Sequence, residues 1–324
     1  MKKMIVAFSR VHPSLLVPYA DRYNIVILDA KKGDLDAQFR TALPGAHGLI
    51  GGNRKLGERE LEGAENLEII SSISVGYDNY DLAHLNRRGI MLTNTPDVLN
   101  ETTADLAFAL IFATARRIPE LDAWTKSGAW QKTIDESAFG CDVHGKTLGI
   151  IGLGKIGAAI ARRGSLGFGM TILYSGSTRK PDLEAELGAQ WVPQDQLLKE
   201  ADFVCPMVPL TPETRNLISE EELSLMKPEA ILINVSRGPI VDEKALVNAL
   251  ANKRIRGAGL DVYVKEPLSE SPLFKLANVV TVPHIGSATI QTRQAMAQRA
   301  LQNLLSGLEG QTPRDLVNPE VLQH

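Results

Sequence analysis

The chain has 324 residues, of which 44% are hydrophobic and 23% charged, and its formal net charge is -3. That length fits two globular domains of ordinary size. So small a charge gives no reason to expect nucleic acid or an anionic membrane as a partner. Two cysteines, Cys141 and Cys205, allow at most one disulfide. Cys205 sits in an apolar run and reads as a buried thiol, which suits a reducing cytoplasm. No stretch approaches the ~20 apolar residues of a membrane span. The apolar run Met4–Phe8 is too short for a secretion leader and reads as a first strand.

From there to about residue 97, short apolar runs of strand length recur at Ile25–Leu28, Gly48–Ile50, Leu67–Ser72 and Ile90–Thr93. Polar, helix-length segments such as Leu35–Leu43 and Gly57–Ala64 separate them, an alternation that predicts a parallel sheet covered by helices. Gly51-Gly-Asn53-Arg54 follows the third run. Asn53 or Arg54 is a candidate to meet the hydroxyls of a longer sugar acid; the alternative is a solvated loop. Asn100 to Arg117 is apolar nearly all round, so the helix it predicts is buried on most sides, between domains or at a subunit interface. Asn100, Thr102 or Thr103 is expected to cap it and Pro119 to end it. Trp124–His144 is mixed in composition and too long for a simple connection, which suggests an arm or a dimer contact.

The next stretch, Thr147-Leu-Gly-Ile-Ile-Gly-Leu-Gly-Lys-Ile-Gly157, organises the rest. A short apolar strand runs into Gly152, Gly154 and Gly157 at G-x-G-x-x-G spacing, and a helix former follows. This is the strand–turn–helix context of a dinucleotide fingerprint. Gly152 permits the tight turn, Gly154 lets the backbone approach a pyrophosphate, and Gly157 lets helix and strand pack closely. Beyond it, strands are predicted at Thr171–Tyr174, Phe203–Met207, Ile231–Val235, Gly257–Leu260 and Val279–Val282. Helices are predicted at Lys155–Gly164, Pro193–Glu200, Glu220–Leu225, Glu243–Asn252 and Ile290–Leu308. An NAD site usually carries an acid at the end of the second strand. Here that strand ends in Ser175-Gly-Ser-Thr-Arg179-Lys180, and the next acid is Asp182. Arg179 can grip a 2′-phosphate and Ser175 can donate to it, so NADP(H) is expected to be preferred, with NAD(H) weaker.

Four further stretches fall at or just past predicted strand ends, where an open α/β sheet binds ligands. They are Asn234–Asp242, Gly259–Pro267, Pro283–Ala288 and Val208–Thr214. An Arg, a Glu and a His in that position form a set suited to carbonyl reduction. His284 can protonate the developing alkoxide, Glu266 can fix its tautomer, and Arg237 can bind and polarise a carboxylate or keto oxygen. No Cys/His cluster has zinc spacing, so no metal site is expected. His12, His47, His84, His144 and His324 show no partner pattern and read as structural or exposed.

These stretches, with Ser74-Val-Gly-Tyr-Asp-Asn-Tyr-Asp81 and the fingerprint, closely resemble the D-isomer-specific 2-hydroxyacid dehydrogenase family. Within it, Ile73–Asn79, Asp142–Gly149 and Pro283–Thr289 resemble the glyoxylate/hydroxypyruvate reductases, their 2-ketogluconate reductase branch in particular. The resemblance implies two doubly wound parallel-sheet α/β domains with a cleft between them. A flavodoxin-like substrate domain would span 1–98 plus 289–324, and a Rossmann cofactor domain 99–288. It implies NADPH-dependent reduction of glyoxylate, hydroxypyruvate or 2-ketogluconate by a cytoplasmic homodimer. His284 would be the general acid, Glu266 its partner and Arg237 the group that orients the 2-keto acid. The N–H groups of Val75 and Gly76 would hold its carboxylate. Gly154, Lys155 and Ile156 would cover the pyrophosphate, while Thr103, Pro209, Val235 and Asp261 would line the nicotinamide side, with Gly286 also at the cofactor. The alternatives are another 2-hydroxy acid specificity, a formate dehydrogenase, whose family pairs its His with Gln, or a nucleotide-sensing corepressor.

Overall fold

A computed structural model describes residues 2–323 of the chain. Twelve strands are found among them: β1 (Met4–Ala7), β2 (Asn24–Ile27), β3 (Ala46–Gly51), β4 (Ile69–Ser72), β5 (Met91–Thr93), β6 (Thr147–Ile151), β7 (Thr171–Ser175), β8 (Gln190–Trp191), β9 (Phe203–Pro206), β10 (Ile231–Asn234), β11 (Gly257–Leu260) and β12 (Val279–Thr281). The α-helices are α1 (Leu35–Ala42), α2 (Leu82–Arg87), α3 (Asn100–Ala115), α4 (Ile118–Lys126), α5 (Lys155–Arg162), α6 (Pro181–Leu187), α7 (Gln194–Glu200), α8 (Glu220–Leu225), α9 (Glu243–Ala251) and α10 (Ile290–Leu308). The chain forms two compact units. One holds the residues up to Leu99 and from Ala288 onward; the other is Asn100–Ser287.

The first unit is a five-stranded sheet in the order β2-β1-β3-β4-β5, with every pairing parallel. This is the flavodoxin-like order. α10 packs on β3, β4 and β5. It starts where the Thr289 side chain accepts from the Thr292 N–H. It buries Met296, Ala297, Ala300, Leu301, Leu304 and Leu308, a stripe at three- and four-residue spacing that faces the sheet. Gly307 lets the helix approach closely, since a Cβ there would stand 2.5 Å from Ile69 Cδ1.

The second unit is a seven-stranded parallel sheet, β12-β11-β10-β9-β6-β7-β8. Counted outward from β6 it has the Rossmann order with one more strand at the far edge. Every residue of β9, β10 and β11 is buried, as expected of a parallel sheet covered on both faces, and this is why these strands read as unbroken apolar runs. Strand order reverses between β6 and β9, the point at which such sheets open a crevice for a ligand.

Several local expectations need correction. Gly57–Ala64 is a series of turns, not a helix; Gly63 sits at φ +80° and the Glu60 carboxylate caps the Gly57 N–H at 3.1 Å. Asn100 is the first helical residue of α3, so Asn100, Thr102 and Thr103 lie within the helix and not before it. Within its unit α3 packs against α5, β10, β11 and β12, which explains its lack of a polar face. After α3 the chain turns at Arg117, which is left-handed at φ 56°, and Pro119 then sits in the first turn of α4, where a missing N–H costs nothing. The first part of the expected arm is therefore helical. Two short helices, α2 and α6, and the two-residue β8 were not anticipated. Among the described residues no helix is long and apolar enough to cross a membrane.

Candidate active site

The turn after β6 assigns a different task to each of its glycines. Gly152 has φ +96°, and a Cβ there would meet Val208 Cγ1 at 2.7 Å and Met207 O at 2.9 Å, so only glycine lets the β6 and β9 loops lie side by side. Gly157 would press a Cβ to 2.6 Å from Gly152 O. Gly154 caps the start of α5, and a Cβ on it would meet nothing within 4 Å. Open ground over a helix N-terminus that begins with Lys155 and Ile156 is what a pyrophosphate needs to reach backbone N–H groups. The residues present therefore fit a dinucleotide.

Past β7 the chain is held at several points. Ser175 is 5% exposed, and its buried Oγ has no hydrogen-bond partner. Arg179 Nε and Nη2 donate to Glu184 Oε1 and Oε2 at 3.1 and 2.5 Å. The acid that meets this segment is thus Glu184, in α6, and not Asp182.

The other three groups sit past β10, β11 and β12. Asn234 ends β10, and its Oδ1 accepts from the Ser236 N–H at 3.1 Å and Oγ at 2.9 Å, while its Nδ2 donates to Arg237 O at 2.9 Å. This side chain curls the loop that carries Arg237. The next residue, Gly238, lies against the backbone of Tyr263 so closely that a Cβ would stand 1.9 Å from Tyr263 C. Glu266 Oε1 accepts from the Tyr263 N–H at 3.0 Å, and its Oε2 lies 2.6 Å from His284 Nδ1. His284 has φ 54°, an uncommon conformation for a residue with a side chain and one that points to a constrained position. Asp261 is fully buried and binds the loop that follows, accepting from Ile285 N at 2.6 Å and Gly286 N at 2.8 Å. Thr103 Oγ1 donates to Gly286 O at 3.2 Å. Tyr263 OH, between Leu260 O at 3.1 Å and Val282 O at 2.9 Å, ties the ends of β11 and β12 together. The resemblance implies that Asp261 lines the nicotinamide side; its two oxygens also hold the loop that follows His284. Asn234 and Tyr263 carried no sequence signal beyond their place at strand ends.

The electrostatics follow from this packing. Burial alone would raise the Glu266 carboxyl. The hydrogen bond to His284, the Tyr263 N–H and the charges of His284 and Arg237 outweigh it and hold Glu266 below its ordinary value. For Asp261 burial wins over its two N–H donors and the nearby His284, and the carboxyl is pushed up to about 6. An ionised Glu266 can only accept, so the proton between the pair sits on Nδ1 and Nε2 is the ring atom left for other chemistry. His284 and Glu266 keep 37% and 33% of their side chains exposed, so the pair is reachable. Val235, 7% exposed, and Pro209, whose carbonyl accepts from Thr214 Oγ1 at 2.6 Å, complete the positions singled out on this unit.

In the first unit, Val75 and Gly76 follow β4. No hydrogen bond from the N–H of either is found among the described residues. Their loop is fixed from behind: Thr95 N donates to Ser74 O at 2.9 Å and Asn94 Nδ2 to Val75 O at 2.8 Å. Asn94 is itself held by Asn303 Nδ2, which donates to its carbonyl at 3.2 Å and to Asp315 Oδ2 at 2.9 Å; Asp315 in turn receives Arg299 at 2.5 and 3.1 Å. Arg54 is committed nearby, its guanidinium 4.0 Å from the Phe39 ring centroid and bonded to Asp36 at 2.7 Å. Among the remaining histidines, His84 is buried and His12 and His144 are exposed; His324 lies outside the described residues. Among the described residues no group of three His, Cys, Asp or Glu side chains could hold a metal ion.

Residues 108–286 match the NAD binding domain of the D-isomer specific 2-hydroxyacid dehydrogenases. The chain is 45% identical over 324 residues to glyoxylate/hydroxypyruvate reductase B of Yersinia enterocolitica, covering all of this chain and 99% of that one. It is 44% identical over 322 residues to the protein of the same name from Klebsiella pneumoniae, covering 99% and 100%. Among solved structures, the TT0316 protein of Thermus thermophilus superposes with a TM-score of 0.87 at 40% identity, over 97% of this chain and 99% of that one. The NADPH-dependent glyoxylate/hydroxypyruvate reductase of Sinorhizobium meliloti, in complex with NADP and malonate, does so with a TM-score of 0.85 at 32% identity, over 99% and 98%. Strand order, glycine turn, family match and full-length likeness agree: the chain belongs to the D-isomer specific 2-hydroxyacid dehydrogenase family of oxidoreductases.

Proposed function

We propose that this protein reduces short 2-keto acids, with glyoxylate and hydroxypyruvate as first candidates and 2-ketogluconate as a third, to D-2-hydroxy acids at the expense of NADPH. The observation that carries the reading is the 2.6 Å contact between His284 Nδ1 and Glu266 Oε2, at strand ends of the unit that bears the glycine turn. The names of the Yersinia and Klebsiella relatives support the substrate class, and the NADP complex of the Sinorhizobium relative supports the cofactor.

A bound nicotinamide supplies the hydride. In this reading the chain's own residues do the rest. The second unit binds the cofactor through Gly154, Lys155 and Ile156, with Thr103, Val235, Pro209 and Gly286 close to its reactive end. The first unit takes the substrate carboxylate on the N–H groups of Val75 and Gly76. Arg237 contributes a fixed positive charge that polarises the carbonyl. His284 delivers the proton from Nε2 to the oxygen as it becomes an alkoxide, and Glu266 keeps the ring oriented. Nothing in this scheme asks for a metal.

Exposed apolar side chains at Ile118, Trp130, Ile134 and Phe139 support the reading of the segment after α3 as a homodimer contact. The cytoplasm is the compartment in which a chain with two free thiols and this cofactor would work.

The test is steady-state reduction of glyoxylate, hydroxypyruvate and 2-ketogluconate with NADPH and with NADH. Turnover of at least one acid, faster with NADPH, is expected. Cofactor binding with no turnover of any of the three would overturn the substrate assignment, and a kcat/KM ratio favouring NADH would overturn the preference.

A further inference from the structure

We infer that Glu184 sets how sharply this chain distinguishes a 2′-phosphorylated dinucleotide from an unphosphorylated one. The inference rests on the reading above that the adenosine ribose lies past the end of β7. The segment between β7 and α6 is pinned at both ends, at Gly176 and at Arg179 and Lys180. Gly176 O accepts from Trp191 Nε1 at 3.1 Å. Tyr174 OH accepts from the Lys180 N–H at 2.7 Å and donates to Glu184 Oε1 at 2.5 Å. Arg179 then closes on the same carboxylate with its Nε and Nη2. Glu184 is the hub of this cluster and keeps only 18% of its side chain exposed, whereas Arg179 keeps 65%.

The geometry leaves Arg179 half used. A guanidinium has five N–H donors, and the edge turned to Glu184 takes two of them. The opposite edge can still fork onto a second anion. What Glu184 removes is charge. A 2′-phosphate arriving there meets a neutral ion pair, with the carboxylate just behind the guanidinium. The phosphate carries about -1.5 to -2 charges, and at roughly 7 Å in a water-like dielectric its repulsion from one carboxylate lowers affinity about 5-fold. Glu184 thus works against the preference that Arg179 confers, and the cost falls only on the phosphorylated cofactor. The preference then depends on the pair and not on Arg179 alone.

The test uses two fragments that cannot turn over, adenosine 2′,5′-bisphosphate and 5′-AMP, titrated calorimetrically into the full-length protein. Glu184→Gln keeps the shape and one acceptor oxygen. It is expected to bind adenosine 2′,5′-bisphosphate about 5-fold more tightly than wild type, with 5′-AMP unchanged. Glu184→Ala should act in the same direction and covers the case in which the glutamine variant does not fold. Arg179→Ala by itself should weaken adenosine 2′,5′-bisphosphate and leave 5′-AMP unchanged. Wild type binding both fragments while both Glu184 variants leave their affinity ratio unaltered, or lower it, would overturn the inference alone. Wild type binding neither fragment would instead overturn the dinucleotide reading on which it rests.

Discussion

Alanine placed singly at Gly154 and at Gly157 should separate cofactor binding from folding within one turn. At Gly154 the backbone lies at φ -80°, ψ -166°, which any residue adopts, and nothing stands within 4 Å of a Cβ. Gly154→Ala should therefore fold as well as wild type, or better by about 0.4–1 kcal/mol because alanine narrows the unfolded ensemble. The added methyl occupies the ground a pyrophosphate must enter. Displacing the phosphate forfeits at least one hydrogen bond from the start of α5, worth about 1.5–3 kcal/mol with a charged partner, so Kd for NADPH should rise roughly 10- to 100-fold. At Gly157 the Cβ would be 2.6 Å from the Gly152 carbonyl oxygen. Both sides of that contact are backbone, so α5 must shift, at a cost of about 1–3 kcal/mol. Urea unfolding measures the first quantity and calorimetric titration with NADPH the second, on the same preparations. Gly154→Ala binding NADPH as wild type does, or losing as much stability as Gly157→Ala, would refute the assignment of that open ground to the pyrophosphate.

Other predictions follow from the same geometry. His284→Asn should lower kcat by roughly 10²–10⁴-fold, as loss of an acid–base group does, with NADPH affinity retained; Glu266→Gln should fall between that variant and wild type in steady-state assays. Burial raises Asp261 to about 6, so folding takes up a proton at this site, and its stabilising effect is complete in acid and lost as pH rises from the unfolded carboxylate value through about 6. Asp261→Asn should flatten that fall in a series of unfolding midpoints against pH. Asp315→Asn leaves Arg299, only 15% exposed, facing an uncharged amide, and should cost about 3 kcal/mol in urea unfolding. Asn94→Ala frees the Val75 carbonyl and should raise KM for the keto acid roughly 5-fold, the worth of about one hydrogen bond, without changing Kd for NADPH.

Much of the fold was legible because a parallel sheet covered on both faces must be written in continuous apolar runs. β9, β10 and β11 are such runs, and α10 was legible at both ends, since Thr289 begins its polar cap and the apolar stripe stops at Leu308. The failures have local causes. β8 pairs through two residues, Gln190 and Trp191, both exposed, so no apolar periodicity marks it. Gly57–Ala64 has the composition of a helix, but Gly57 and Gly63 bracket it and turn chemistry prevails. Pro119 does not end α3, which stops at Ala115 before the left-handed Arg117; it sits in the first turn of α4, because a helix start has no use for the missing N–H.

Residues that serve through their own chemistry at a strand end are visible in a sequence; residues that serve through a partner are not. On the proposed mechanism His284 and Arg237 fall in the first group, and the spacing of the strands brings them past ends of one sheet. Arg179 belongs to the second. It carries the charge expected of a phosphate ligand, but its behaviour depends on Glu184 five positions on, a separation that corresponds to no face of a helix and no side of a strand. The two meet because Tyr174, buried at the end of β7, draws Lys180 back over itself and offers its hydroxyl to the same carboxylate. A reader of the sequence counts one arginine and no acid at the strand end and concludes that the place is positive. Folding brings an acid there from the next helix, and the place becomes a neutral pair with one donor edge still turned outward. On the proposed reading, cofactor preference is a property of the folded segment, and substitutions at Glu184 or Tyr174 should move it as surely as one at Arg179.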